Sequence, residues 1–255
     1  MTQRFPHNFR TVLCFALLTL LASGVALAES QSFSQTYPLS PDGRLSLENL
    51  NGDVTIEGWS GSEVQIEYTK TSRTEEGLER VEVIIEARED HIHVETDYSS
   101  SRGWNNDGAN VDFTVRVPSG ARLDEIELVN GDLDISGVSG NVNASLVNGR
   151  VDATDLSGSL SLESVNGTVE VVFETLGDGQ SVDLESVNGS VVLRIPDGAD
   201  ATIDAETVHG GIDNDFGFEV EKGRYVGRSM EGTLGNGSAR VDLENVNGSI
   251  TVKSN

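Results

Sequence analysis

The stretch from Val129 to Gly167 reads Val129-Asn130-Gly131, Val138-Ser139-Gly140, Val147-Asn148-Gly149, Leu156-Ser157-Gly158, Val165-Asn166-Gly167: one triplet five times over at a constant spacing. The same triplet, an apolar residue, a polar residue and glycine, begins again at Leu50, Trp59, Val187, Val208 and Val246, with His209 in the polar place of the copy at Val208. A fixed internal period makes each copy a unit that buries its apolar side only against its neighbours. With the apolar residue as position 1, position 3 is glycine throughout. Position 5 is apolar in nine of the ten copies, as in Val54, Leu133, Val142, Val151, Leu160 and Val169, and position 7 in eight, as in Ile56, Ile135, Ala144, Ala153, Leu162 and Val171. Alternation over about five residues marks a half-buried strand, and Asn-Gly or Ser-Gly before it supplies a corner at which positive φ is tolerated. Asn and Ser alternate at position 2 of the unbroken stretch, so the true repeat runs from Asn130 to Asn148 to Asn166 and holds two strands and two corners.

Two architectures satisfy this pattern. Asn-Gly as a two-residue hairpin turn gives an antiparallel β-meander or sandwich. One coil per double unit, roughly an 18-residue coil, gives a parallel β-solenoid in which like stacks on like. The solenoid is favoured on position 1: a hairpin turns Val147 away from the face shared by Leu146 and Val151, whereas a coil corner is expected to turn it inward. The expected fold is therefore all-β, a parallel solenoid over 128–255 preceded by a β-rich portion over 29–127 that includes the first repeat. The long insert from Asn51 to Asn130 carries longer alternating runs at Val64-Ile66-Tyr68, Val81-Val83-Ile85, Ile92-Val94 and Val111-Phe113-Val115-Val117, a short helix at Glu75 to Arg80, and a polar loop at Ser99 to Asn110. The wide gap from His209 to Asn247 places an excursion at Phe216 to Glu231.

The segment 1–28 reads as a secretory signal peptide: Arg4 and Arg10, an apolar run from Val12 to Leu21, and Ala26-Leu27-Ala28 before Glu29. Cys14, the single cysteine, falls inside that run, so the mature chain has no thiol chemistry. Cleavage removes two arginines and no acid, taking the formal charge from −25 to −27. Such a chain is repelled by nucleic acid and by anionic membranes. No later apolar stretch approaches the roughly 20 residues of a transmembrane helix. The expected location is the periplasm, the cell surface or the medium.

The run Arg44-Leu45-Ser46-Leu47-Glu48-Asn49-Leu50-Asn51-Gly52-Asp53-Val54, the run Val111-Asp112-Phe113-Thr114-Val115-Arg116-Val117-Pro118, the Val-Asn-Gly series and Gly232-Thr233-Leu234-Gly235-Asn236-Gly237 together resemble bacterial adhesin-like domains of the DUF4097 type. The resemblance spans nearly the whole mature chain. It implies a β-helical surface or envelope module and carries over no catalytic residue.

The chemistry offered by the sequence is sparse. His91 and His93 share a strand face but lack a third metal ligand nearby, and His209 stands in for a corner asparagine. On coils of this length Asp134, Asp152 and Glu170 form a column with rungs about 4.8 Å apart, a candidate site for an opportunistic calcium ion, with Arg150 as the competing partner. Gly210-Gly211-Ile212-Asp213-Asn214-Asp215 is one imperfect copy of a calcium-binding turn. Trp104, in a polar loop, is the candidate partner contact, while Trp59 at position 1 is expected in the core. These features favour a non-enzymatic adhesin-like or scaffolding module that binds an envelope protein or polysaccharide. The alternative is a β-helical carbohydrate-active enzyme using Asp134 and Asp152.

Overall fold

The computed structural model describes residues 28–98 and 109–255; the signal-peptide reading and Trp104 therefore lie outside the described residues. In chain order the elements are β1 (Glu29–Pro38), β2 (Arg44–Asn51), β3 (Val54–Trp59), β4 (Glu63–Ser72), α1 (Glu75–Glu79), β5 (Glu82–Ala87), β6 (His91–Asp97), β7 (Asn110–Pro118), β8 (Arg122–Asn130) and β9 (Leu133–Ser136). The regular repeats follow as β10 (Val142–Asn148), β11 (Val151–Leu156), β12 (Leu160–Asn166), β13 (Val169–Phe173), β14 (Ser181–Asn188) and β15 (Val191–Ile195). The chain ends with β16 (Ala201–His209), β17 (Ile212–Asn214), β18 (Val220–Lys222), β19 (Arg228–Leu234), β20 (Ala239–Asn247) and β21 (Ile250–Ser254).

These strands form two sheets of 10 and 11 strands that face one another across a shared apolar core. An Asn-Gly corner passes the chain from the second sheet to the first, and a Ser-Gly corner returns it. Strands one coil apart pair in parallel and in register, Val142 on Leu160 and Leu160 on Val182 in the second sheet, Val151 on Val169 and Val169 on Val191 in the first. The fold is thus the parallel β-solenoid. Positions 5 and 7 supply its interior: Val151, Ala153, Leu160, Leu162, Val169 and Val171 are all buried. The helix falls where the sequence places it, capped by Thr74, whose side chain accepts a hydrogen bond from the Gly77 amide.

Position 1 does not face inward at every corner, contrary to expectation. Val138 and Leu156, ahead of Ser-Gly corners, are buried, but the seven residues ahead of Asn-Gly corners or the matching His209-Gly210 corner are 36–43% exposed: Leu50, Val129, Val147, Val165, Val187, Val208 and Val246. The inward side chain at those corners is the preceding residue, a buried Asn49, Leu128, Leu146, Ser164, Ser186, Thr207 or Asn245. Strand alternation persists to the last residue before the corner, so position 1 turns outward with the glutamate two residues earlier. Trp59 is likewise only half-buried, its ring lying against Gly61 and its indole N–H donating to the Glu63 carbonyl at 3.0 Å.

Positive φ at position 3 also belongs to one corner type. Gly167 has φ +148°, and a Cβ there would fall 1.6 Å from the carbonyl oxygen of Gly149. Gly158, at a Ser-Gly corner, has no positive φ and is required by the same crowding, 2.1 Å from the Gly140 oxygen. The corners stack backbone on backbone, which leaves no room for a side chain.

Stack order departs from chain order at both ends. In the second sheet β20 lies between β14 and β16, and in the first β21 lies between β15 and β17. The last coil of the chain is therefore wedged between two made earlier. At the other end the coil β2–β3 sits between β6–β7 and β8–β9. Antiparallel strands finish the array: β4 on β7 and β1 on β4, β5 on β6, and β19 on β16 with β18 folded back upon it. Closing an end this way shields the stack from adding further copies.

Candidate binding face on the second sheet

The outer face of the second sheet is built from three parallel columns. Each strand that ends in an Asn-Gly corner presents, reading back from the corner, an asparagine, an apolar residue and, two residues before that, usually a glutamate. The asparagines form a ladder: the Asn148 side-chain amide donates to Asn130 Oδ1 at 2.9 Å, Asn166 to Asn148 at 2.9 Å, Asn188 to Asn166 at 3.1 Å and Asn247 to Asn188 at 3.0 Å, with Asn130 donating to Asn51 at 3.0 Å. His209 occupies the final rung, opposite Asn247. Backbone bonds reinforce each corner, as in the Gly149 amide donating to the Asn166 carbonyl at 3.1 Å.

Beside the ladder runs the apolar column, in spatial order Leu50, Val129, Val147, Val165, Val187, Val246, Val208. Six steps of about 4.8 Å give it a length of about 29 Å. Next to it runs an acidic column, Glu48, Glu127, Glu163, Glu185, Glu244 and Glu206, interrupted by Ser145. Like charges at this spacing repel, and burial together with Asp183, Glu163 and Glu244 raises the carboxyl pKa of Glu185 above the ordinary glutamate value. Glutamate two residues before position 1 in six of seven copies was the sequence signal for this face, since residues two apart on a strand share a side.

At the C-terminal end the hairpin between β18 and β19 rises beside the columns and closes them into a groove of about 450 Å³. Val165, Val187, Val246 and Val208 form its floor, Glu163, Glu185, Glu244 and Glu206 one flank, and Val226 and Arg228 its end wall. Val226 is 61% exposed and Tyr225 86% exposed at the hairpin tip, with the Arg224 guanidinium 5.6 Å from the Tyr225 ring centre.

The candidate metal residues lie on the opposite sheet. Asp134 pairs in register with Asp152 and Asp152 with Glu170, so the three stand side by side on β9, β11 and β13. Two of them carry arginine partners, Arg150 3.2 Å from Asp152 and Arg194 2.9 Å from Glu170. Asp134 has its pKa raised by burial and then by Asp152, with Arg150 opposing. Among the described residues no group of three or more His, Cys, Asp or Glu side chains is placed to hold a metal ion. His91 and His93 both lie 2.9 Å from the buried Ser46 hydroxyl, which joins the two rings. In the Gly210–Asp215 segment the Asn214 side chain both donates to and accepts from the Phe218 backbone, and Asp215 accepts from the Ser254 amide. No described helix is long and apolar enough to cross a membrane.

No curated protein matches the chain. Among solved structures, a protein of Clostridium sporogenes provisionally named a cell adhesion protein is 13% identical with a TM-score of 0.44, covering 88% of this chain and 100% of its own. A provisionally named adhesin of Bacteroides fragilis is 12% identical with a TM-score of 0.36, covering 88% and 97%. A protein of Parabacteroides distasonis provisionally named as lipid binding is 10% identical with a TM-score of 0.29, covering 88% and 96%. Residues 125–253, just over half of the chain, match the Toastrack DUF4097 family, and the chain belongs to it.

Proposed function

We propose that this protein is a non-enzymatic adhesin-like module of the bacterial envelope, exported by the signal segment 1–28, that holds a partner on the outer face of the second sheet. The observation that carries the proposal is the apolar column. Seven aliphatic side chains, each more than a third exposed, line up without a break, and contiguous apolar surface on a soluble domain marks a place where something docks. Most corners among the described residues are only a few residues long, which supplies rigidity rather than the long loops that wall a catalytic cleft. The resemblance of the sequence to adhesin-like domains of the DUF4097 type, the family to which the chain belongs, supports a binding role. Trp104 is proposed as a further contact residue.

The test presents the segment 29–255 to an envelope fraction of the native organism and to a panel of acidic and neutral polysaccharides. Retention by the envelope fraction, with no new sugar ends released from any polysaccharide, is expected. Release of sugar ends, lost in Asp134→Asn and Asp152→Asn, would overturn the proposal in favour of a carbohydrate-active enzyme.

A further inference from the structure

We infer that the outer face of the second sheet receives a cationic amphipathic peptide segment of a partner protein, its apolar side chains on the valine column and its basic side chains over the glutamate column. The inference rests on the binding-module reading above and gives the partner a chemistry.

Two properties of the face select this occupant together. The column from Leu50 to Val208 is apolar, continuous and only one residue wide, which suits a single narrow stripe rather than a broad apolar surface. A helix as long as the column, about 29 Å, has about 19 residues, and its apolar stripe repeats about every 5.4 Å against rungs of about 4.8 Å. The glutamates beside the stripe then fix the sign of the partner's flank. Glu163, Glu185, Glu244 and Glu206 stand on four successive strands, with Asp183, Asp242 and Asp204 behind three of them. Arg240 is already committed to Asp242 through two hydrogen bonds, and Arg228 lies at the end wall, leaving the middle of the acidic column facing solvent. Basic side chains laid over it would relieve the repulsion between rungs, and a chain of net charge −25 steers cationic partners toward itself from a distance.

The same charges argue against other occupants. A second copy laid face to face about an axis along the strands would set one glutamate column against another, and one laid about an axis along the columns would leave both glutamate columns without a cation. An anionic lipid surface is repelled. The floor is aliphatic, without the aromatic platforms on which sugar rings stack.

The experiment titrates the purified protein with three peptide probes matched to the column's length, followed by calorimetry: a leucine–lysine peptide with one apolar stripe, a scrambled isomer of the same composition without a stripe, and a leucine–glutamate analogue with the stripe. The striped cationic probe is expected to bind at least tenfold more tightly than either other peptide. The double variant Val165→Ser with Val187→Ser, which keeps every charge, should weaken it at least tenfold. The double variant Glu163→Gln with Glu185→Gln should weaken it and flatten its salt dependence, while Glu75→Gln, remote in α1, should not. Circular dichroism melts of each variant confirm that the array is folded. Equal binding of the scrambled peptide, or wild-type affinity in the valine variant, overturns the inference. So does self-association in sedimentation that the valine variant abolishes, because the occupant is then a second copy. If the peptides fail while the wild-type protein is still retained by the envelope fraction, the inference falls and the binding-module proposal stands. If neither binds, both fall.

Discussion

Gly167 combines two constraints at one atom: a positive φ that side chains avoid, and a carbonyl oxygen 1.6 Å from where a Cβ would sit. Gly167→Ala is therefore expected to destabilise by at least about 3 kcal/mol in urea melts, because backbone strain and a backbone-to-backbone clash add. Asn148→Ser, one ladder rung removed on an exposed edge, should cost about 1 kcal/mol, the net worth of the bonds it makes with Asn130 and Asn166. The inward residues at these corners behave differently. Ser164 and Ser186 are buried with hydroxyls that have no partner among the described residues, in a column where Leu128 and Leu146 occupy the same place in the coils before Ser164. Ser164→Ala with Ser186→Ala is expected to hold or raise the melting temperature, since removing an unpaired buried hydroxyl recovers its desolvation cost. A fall of several degrees would mean that these hydroxyls find partners. These same residues explain what was hidden in the sequence. In Glu163-Ser164-Val165-Asn166-Gly167 the buried side chain is the polar one and the exposed side chain the apolar one, so hydrophobicity alone points the wrong way. Glu163, sharing a side with Val165, carried the contrary information.

At the scale of the strand, positions 5 and 7 were legible because period-two alternation is set by the pleat and survives any stacking order. Parallel pairing was legible too, although through an argument from position 1 that holds only for Val138 and Leu156. The acidic column of β9, β11 and β13 followed directly from the period of the repeat. Its electrostatics give a pH prediction. Burial, then Asp152, raises the pKa of Asp134 in the folded chain above its ordinary 3.8. The folded state thus favours the protonated carboxyl. The resulting stabilisation is fully present below pH 3.8 and is lost as pH rises through the higher folded value. Asp134→Asn should therefore melt above the wild type at neutral pH, and the two should converge as pH falls below about 3.8. A difference that is unchanged at low pH would assign the effect to packing instead. The face on the second sheet was less legible, since its groove depends on the β18–β19 hairpin rising beside strands that are distant in sequence.

At the scale of the molecule, the interleaving of coils had no local signature. The wide gaps from Asn51 to Asn130 and from His209 to Asn247 showed where the period breaks, but nothing in a single repeat says which neighbour it will meet. The consequence is mechanical. Among the described strands, β16 is joined by backbone pairing to the earlier coils through β20, and β17 through β21. Ending the chain at Gly237 should therefore release the segment 201–237 from the stack while the segment 142–195 keeps its pairing. Hydrogen exchange would record lost protection in the first segment and retained protection in the second. The central claim is that the solenoid is parallel, interleaved at its C-terminal end, and turns the Asn-type position 1 outward in one column. Disulfide trapping between position-1 pairs tests it most directly, because the segment 29–255 has no cysteine of its own. Val187 and Val246 are far apart in sequence but stand on neighbouring strands, between the registered pairs Ser186–Asn245 and Asn188–Asn247. Val187 and Val208 are much closer in sequence but are separated by β20. Cysteines at 187 and 246 fall within the roughly 7 Å that a disulfide spans, and those at 187 and 208 do not. The account predicts fast cross-linking of the 187–246 pair and none of the 187–208 pair in the folded protein. Cross-linking of 187 with 208 in place of 246, or inaccessibility of all three cysteines to a thiol reagent, would contradict it.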